Sequence, residues 1–164
     1  MHSKFRFTLT VICLFALSAC GGGRFSTPNA KGFKSSEPIQ CVPYARQVSG
    51  IELYGDAHTW WGQAAQDPRY QRSQTPKRGS VVVLARTPQM THGHVAVVKR
   101  VVGARHIDVA HSNWGSDRNT RRYVYERMRA EDASANNDWS RIRFWNHHIG
   151  AFGQPYEVWG FVHK

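Results

Sequence analysis

The chain has 164 residues, with 22 Lys and Arg against 11 Asp and Glu, enough for one domain with a real core and hardly enough for two. So basic a surface attracts polyanions by its long-range field, yet there is no zinc-finger spacing, basic-zipper heptad or aromatic sheet motif, and nucleic acid is not an expected partner. The cysteines, at positions 13, 20 and 41, exclude a disulfide scaffold once the first segment is accounted for.

That segment, MHSKFRFTLTVICLFALSAC, sets Lys4 and Arg6 before an apolar run from Leu9 to Leu17. This is the layout of a secretory signal, and the run is too short for an ordinary membrane span. Leu17-Ser18-Ala19-Cys20 followed by three glycines resembles the lipobox of bacterial lipoproteins. The resemblance implies a signal peptide over residues 1–19 and lipidation of Cys20. With Gly21 rather than Asp next, it also implies an anchor in the outer membrane, facing the periplasm. A plain signal with an incidental cysteine is the other reading. Cys13 then leaves with the signal, Cys20 carries lipid, and Cys41 is left single. Loss of Lys4 and Arg6 leaves 20 basic residues against 11 acidic, a charge of +9.

Residues 20–38, rich in Gly, Ser, Pro and Lys, read as a lipidated flexible tether, and the domain is expected over 39–164. From Cys41, the residues Cys41, Tyr44, Ala45 and Val48 recur at helical spacing and Gly50 ends the run. Pro43 is tolerated only in a first turn, which puts Cys41 at the helix N-terminus. A second short helix is expected from Ala57 to Ala65 with Asp56 as N-cap.

Strands are expected at Ser80–Ala85 after the turn residue Gly79, at 93–102, at 106–114 and at 156–162. The stretch RRYVYERM, residues 121–128, is ambiguous between strand and helix. Helices first and strands after form an α+β pattern.

The period of two along a strand puts His111 and Asn113 on one face with Ile107 and Val109. His94 opens the preceding strand, and antiparallel pairing through the short turn brings it near His111 and Asn113. A helix bearing Cys41 could dock at that end of the sheet. The residue types suit nucleophilic catalysis: a helix N-terminus and an imidazolium lower a thiol pKa, and the imidazole then protonates a leaving amine. A third polar group orients the ring, and the Gln40 side chain with the Cys41 N–H could face an oxyanion. Trp60, Trp61 and Trp114 are candidates to line a substrate cleft or to pack the core.

The blocks QCVPYAR, GSVVVL, HGHVAVV and IDVAHSNWG together resemble a CHAP domain, the cysteine- and histidine-dependent amidohydrolase/peptidase family, over residues 39–115. The resemblance implies a papain-like α+β fold, with N-terminal helices packed on an antiparallel sheet. It also implies cleavage of an amide bond in peptidoglycan, by an amidase or endopeptidase, with Cys41 as nucleophile and His94 as base. Many members carry Glu where this chain has His111, so the third role falls to Asn113 or His111. The acidic loop by which some members bind calcium is reduced here to Glu37, so no metal or other cofactor is expected.

Two other readings stand beside this one. His92 and His94, with His111 or the His147–His148 pair, could chelate zinc in a wall peptidase. Alternatively, the chain is a non-catalytic, wall-binding lipoprotein.

Overall fold

In the computed structural model, which describes residues 31–164, the run Val81–Leu84 is buried on both of its faces. Val81 and Val83 pack outward against the helices, while Val82 and Leu84 point the other way into a second cluster. A strand covered on both sides needs no polar alternation, which is why its sequence reads as an unbroken apolar run.

Along the described chain the strands are β1 (Lys31–Lys34), β2 (Gln71–Ser73), β3 (Val81–Leu84), β4 (His94–Gly103), β5 (His106–Ser112), β6 (Tyr123–Asp132), β7 (Arg141–Asn146), β8 (Ala151–Phe152) and β9 (Tyr156–His163). The helices are α1 (Cys41–Ser49) and α2 (Trp60–Gln66), the latter entered through a 3-10 turn at Ala57–Thr59. The antiparallel order β6-β5-β4-β3-β9-β7 closes on itself because β7 also pairs with β6, joining Ala130 to Phe144 and Asp132 to Ile142. The result is a six-stranded β-barrel, with β1 added outside β6 and β2 outside β9.

This corrects the expected papain-like α+β fold. Among the described residues only two short α-helices accompany the barrel, and residues 116–164 supply three of its six walls. The ambiguous 121–128 stretch lies mostly in β6, and β7 had no clear strand signal. Without those two strands a sheet cannot close, and an open sheet covered by helices is the natural inference.

Alternation sorts the side chains into two cores. Val82, Leu84, Ala96, Val98, Ile107, Val109, Met128, Ala130, Ile142, Phe144 and Phe161 fill the barrel. Val81, Val83, Val95, Val97 and Val162 face outward and bury Ala45, Ile51, Leu53 and Trp60 from the helical segment. α1 packs chiefly on β4 and β5. It ends at Gly50, whose left-handed φ of 69° lets its N–H return to the Arg46 carbonyl at 2.8 Å.

The signal peptide, Cys13, Cys20 and the tether up to residue 30 lie outside the described residues. The last part of the segment read as tether has structure of its own. Lys31–Lys34 pair antiparallel with Tyr123–Arg127, and Ser35 bonds Arg122 through both backbone and side chain. Asp56 precedes the 3-10 turn without capping it; its carboxylate instead meets His92 Nδ1 at 2.9 Å.

Candidate active site

The interior-facing rows of β4 and β5 end in histidines at one mouth of the barrel. His94 continues the row of Ala96 and Val98, and His111 that of Ile107 and Val109. An irregularity in the β5–β6 pairing between Val109 and His111 puts Tyr125 opposite His111 and Met128 opposite Val109. Tyr125 and Met128 therefore both enter the barrel core beside the imidazoles.

His94 Nε2 lies 3.0 Å from His111 Nδ1, and His111 Nε2 lies 3.1 Å from the Met128 sulfur. Both rings are buried, His111 completely. Trp114 covers them, with ring centroids 4.7 Å from His94 and 5.7 Å from His111. Phe144 stacks on His111 at 5.1 Å and Tyr156 meets Trp114 edge-on.

Cys41 opens α1 on the outer side of the same mouth. Its sulfur is beside the backbone N–H of Val95, the residue after His94, and beside those of Val42 and Cys41 itself. It is a free cysteine, 9% exposed, and with His94 it lines a cleft of ≈1440 Å³.

Gly93 makes the approach to His94 possible. It has φ 69°, and a Cβ there would stand 2.8 Å from the His58 Cβ and 2.9 Å from the Leu84 carbonyl, a space and a backbone conformation open only to glycine.

The electrostatics differ from the expected thiolate–imidazolium pair. Burial pushes the Cys41 thiol above its usual 9.0, although the three backbone N–H groups favour the thiolate. Burial also drives His94 down to about 3, and burial together with its neighbour His94 holds His111 well below the ordinary histidine range. The helix N-terminus does not overcome desolvation, because the thiol is enclosed between α1 and the sheet. Burial therefore favours a neutral thiol and two neutral imidazoles in the resting site.

Asn113 lies just beyond β5 with φ 57°, a left-handed turn that Asn tolerates. There its amide leaves the His111 row and donates to Gln40 Oε1 at 2.8 Å. The polar group at the His94 ring nitrogen is thus His111, while Asn113 is joined to Gln40. Trp114 lines the cleft, but Trp60 and Trp61 do not. Trp60 is fully buried in the helical core, and Trp61 packs beside it under the Arg72 guanidinium.

His92 lies outside β4, exposed and turned to Asp56, so it does not share a strand face with His94. His147 stacks on Tyr125 at the cleft wall. Among the described residues no group of three or more His, Cys, Asp or Glu is placed to hold a metal ion. Sequence reasoning missed Met128, Tyr125 and Phe144 at the histidine pair. It also missed Arg46, which lies over the Tyr54 ring at 3.7 Å and donates to its hydroxyl at 2.7 Å.

A CHAP domain model matches residues 31–113, just over half of the chain, and the chain belongs to that family. Among solved structures it is similar to Ly7917 determined with the hydrolysing product of MDP, at 16% identity and a TM-score of 0.46, covering 79% of this chain and 55% of that one. It is also similar to an N-acetylmuramoyl-L-alanine amidase from Staphylococcus aureus, at 23% identity and a TM-score of 0.44, covering 73% of this chain and 30% of that one. The chain thus spans about half, or less, of these solved proteins. No curated protein matches the sequence.

Proposed function

We propose that this chain is a peptidoglycan hydrolase that cuts an amide bond through a Cys41 thioester. The observation that carries the reading is the convergence on one cleft of Cys41, at the start of α1, and His94, which His111 backs from the barrel interior.

His94 Nε2 is engaged by His111, which leaves Nδ1 to take the thiol proton as sulfur attacks the carbonyl. The same proton then goes to the leaving amine. In the second half-reaction His94 draws a proton from water, the hydroxide oxygen displaces the cysteine sulfur to free the acid product, and His94 returns the proton to the departing sulfur. Asn113 holds the Gln40 carbonyl oxygen, so the Gln40 N–H groups remain to meet the oxyanion beside the Cys41 N–H. Because the resting pair is neutral, proton transfer accompanies attack.

The cleft favours an acidic substrate. Arg46 and Arg121 line it, and Asp56 is the one acidic residue among the described lining residues. Arg118, also on the wall, is paired with Glu37. Carboxylates of a wall peptide would meet a positive field there. Cys20, as a lipid-bearing residue behind the tether, would hold the domain at the outer membrane on its periplasmic side.

Digestion of purified sacculi tests the reading. The wild-type chain is expected to release muropeptides whose masses identify the cut as a sugar–peptide or a peptide–peptide amide. Cys41→Ser should release none, and equal release by that variant would refute it. Cys20→Ser is expected to stay active and to leave the membrane fraction; retention there would refute the anchor.

A further inference from the structure

The structure contains a chain of contacts that ends on a sulfur: His94 Nε2 to His111 Nδ1 at 3.0 Å, then His111 Nε2 to Met128 Sδ at 3.1 Å. A thioether can only accept, since it carries no hydrogen. The second contact is therefore favourable when His111 Nε2 bears the proton, and repulsive between lone pairs when it does not. A neutral imidazole with hydrogen on Nε2 has a bare Nδ1. That bare nitrogen accepts the hydrogen of His94 Nε2, which in turn leaves His94 Nδ1 bare.

We propose that Met128 is a positioning residue that fixes the tautomer of His111 and, through it, that of His94. The inference rests on the reading of Cys41 and His94 as the reacting pair, because only a His94 with bare Nδ1 can take the thiol proton there. In the opposite arrangement His111 Nδ1–H donates to His94 Nε2, and His94 then carries hydrogen on Nδ1 and cannot serve as base.

Among the described residues no other side chain hydrogen-bonds the His111 nitrogens. Phe144 stacks on the His111 ring at 5.1 Å, and Trp114 and Tyr125 pack tilted against it. His111 is 0% and Met128 2% exposed, so the contact between them is buried at the floor of the cleft. A carboxylate would orient the ring by its charge, whereas here a neutral sulfur does so by offering lone pairs alone.

Long-range 1H–15N correlation spectra of the full chain, labelled at histidine, read both tautomers directly. Wild type should show hydrogen on Nε2 and a bare Nδ1 in both His94 and His111. Met128→Leu, which keeps the volume and removes the acceptor, should populate the second tautomer in both rings. It should also lower kcat roughly three- to tenfold at unchanged KM, the loss of one modest hydrogen bond. Hydrogen on Nδ1 of either ring in wild type overturns the proposal, as do wild-type tautomers in Met128→Leu.

Should that variant fail to fold, selenomethionine in place of methionine gives the second measurement. It should shift the His111 Nε2 proton resonance, and an unmoved resonance overturns the proposal. Active Cys41→Ser would end the cysteine reading and leave these spectra as they are, so the two failures are distinguishable.

Discussion

The thiol of Cys41 should behave as a buried thiol and not as half of a preformed ion pair. Burial raises it above 9.0 and lowers His94 to about 3. With a pKa above 9.0, less than about 1% of the sulfur is thiolate at neutral pH, since each pH unit below the pKa removes tenfold. Alkylation by iodoacetamide in the absence of substrate reads that fraction. Its rate should climb about tenfold per pH unit through neutrality and level off only in the alkaline range. A rate that is flat between about pH 5 and about pH 8 would mean a thiolate held by an imidazolium, as cysteines with strongly depressed pKa show, and would refute the argument.

The same burial has a consequence for stability. The unfolded chain binds protons on His94 and His111 as pH falls through 6.5, while the folded chain does not until far lower. Unfolding thus takes up protons, and stability should fall as pH drops from 6.5 toward 3. For the thiol the unfolded state releases a proton first, so stability should also fall as pH rises through 9.0. Urea unfolding midpoints across pH check both limbs.

Two further perturbations address the parts around this pair. Gln40→Ala should cost about a hundredfold in kcat as an oxyanion donor is lost, and Asn113→Ala roughly tenfold. The double variant should be no worse than Gln40→Ala, because Asn113 acts through the 2.8 Å bond to Gln40, and additive losses in muropeptide release would refute that dependence. Gly93→Ala forces a Cβ to within 2.8 Å of His58 at a left-handed φ, and should destabilise the fold by about 2 kcal/mol or more in urea titration while also lowering kcat.

The elements of the candidate site are the legible part of the sequence because their signals are local. Pro43 and Gly50 bracket α1, and the Val81–Leu84 and His94–Val98 runs show as strands from their own apolar content. Closure of the barrel is not local. It depends on β7, whose alternation Arg141-Ile142-Arg143-Phe144 is only four residues long before Trp145 and Asn146 break it, and on β6, whose Tyr125–Met128 step breaks the period of two. That same break hid Met128, since a residue's facing cannot be assigned across a bulge from spacing alone. Asn113 was placed on the His111 row for the opposite reason: the alternation was carried one step past the end of β5, where a left-handed turn redirects the side chain to Gln40.

The neutral state of the site and the presence of histidine at position 111 are physically one choice. Position 111 is fully buried, enclosed by Trp114, Tyr125, Met128 and Phe144. An ionised Glu there would be cut off from water with a thioether and aromatic rings as its main neighbours. It would need a charged His94 to offset that burial, which would in turn draw Cys41 toward the thiolate. A second imidazole satisfies the His94 nitrogen at 3.0 Å without adding charge. On the proposed mechanism, charge would then develop only when substrate reaches the thiol. The imidazolium formed on His94 in that mechanism can be shared across the hydrogen bond with His111, whose own Nε2–H stays directed at the Met128 sulfur. On the proposed mechanism, His111 in place of a Glu would exchange a permanently charged orienting group for one that responds to charge only during turnover.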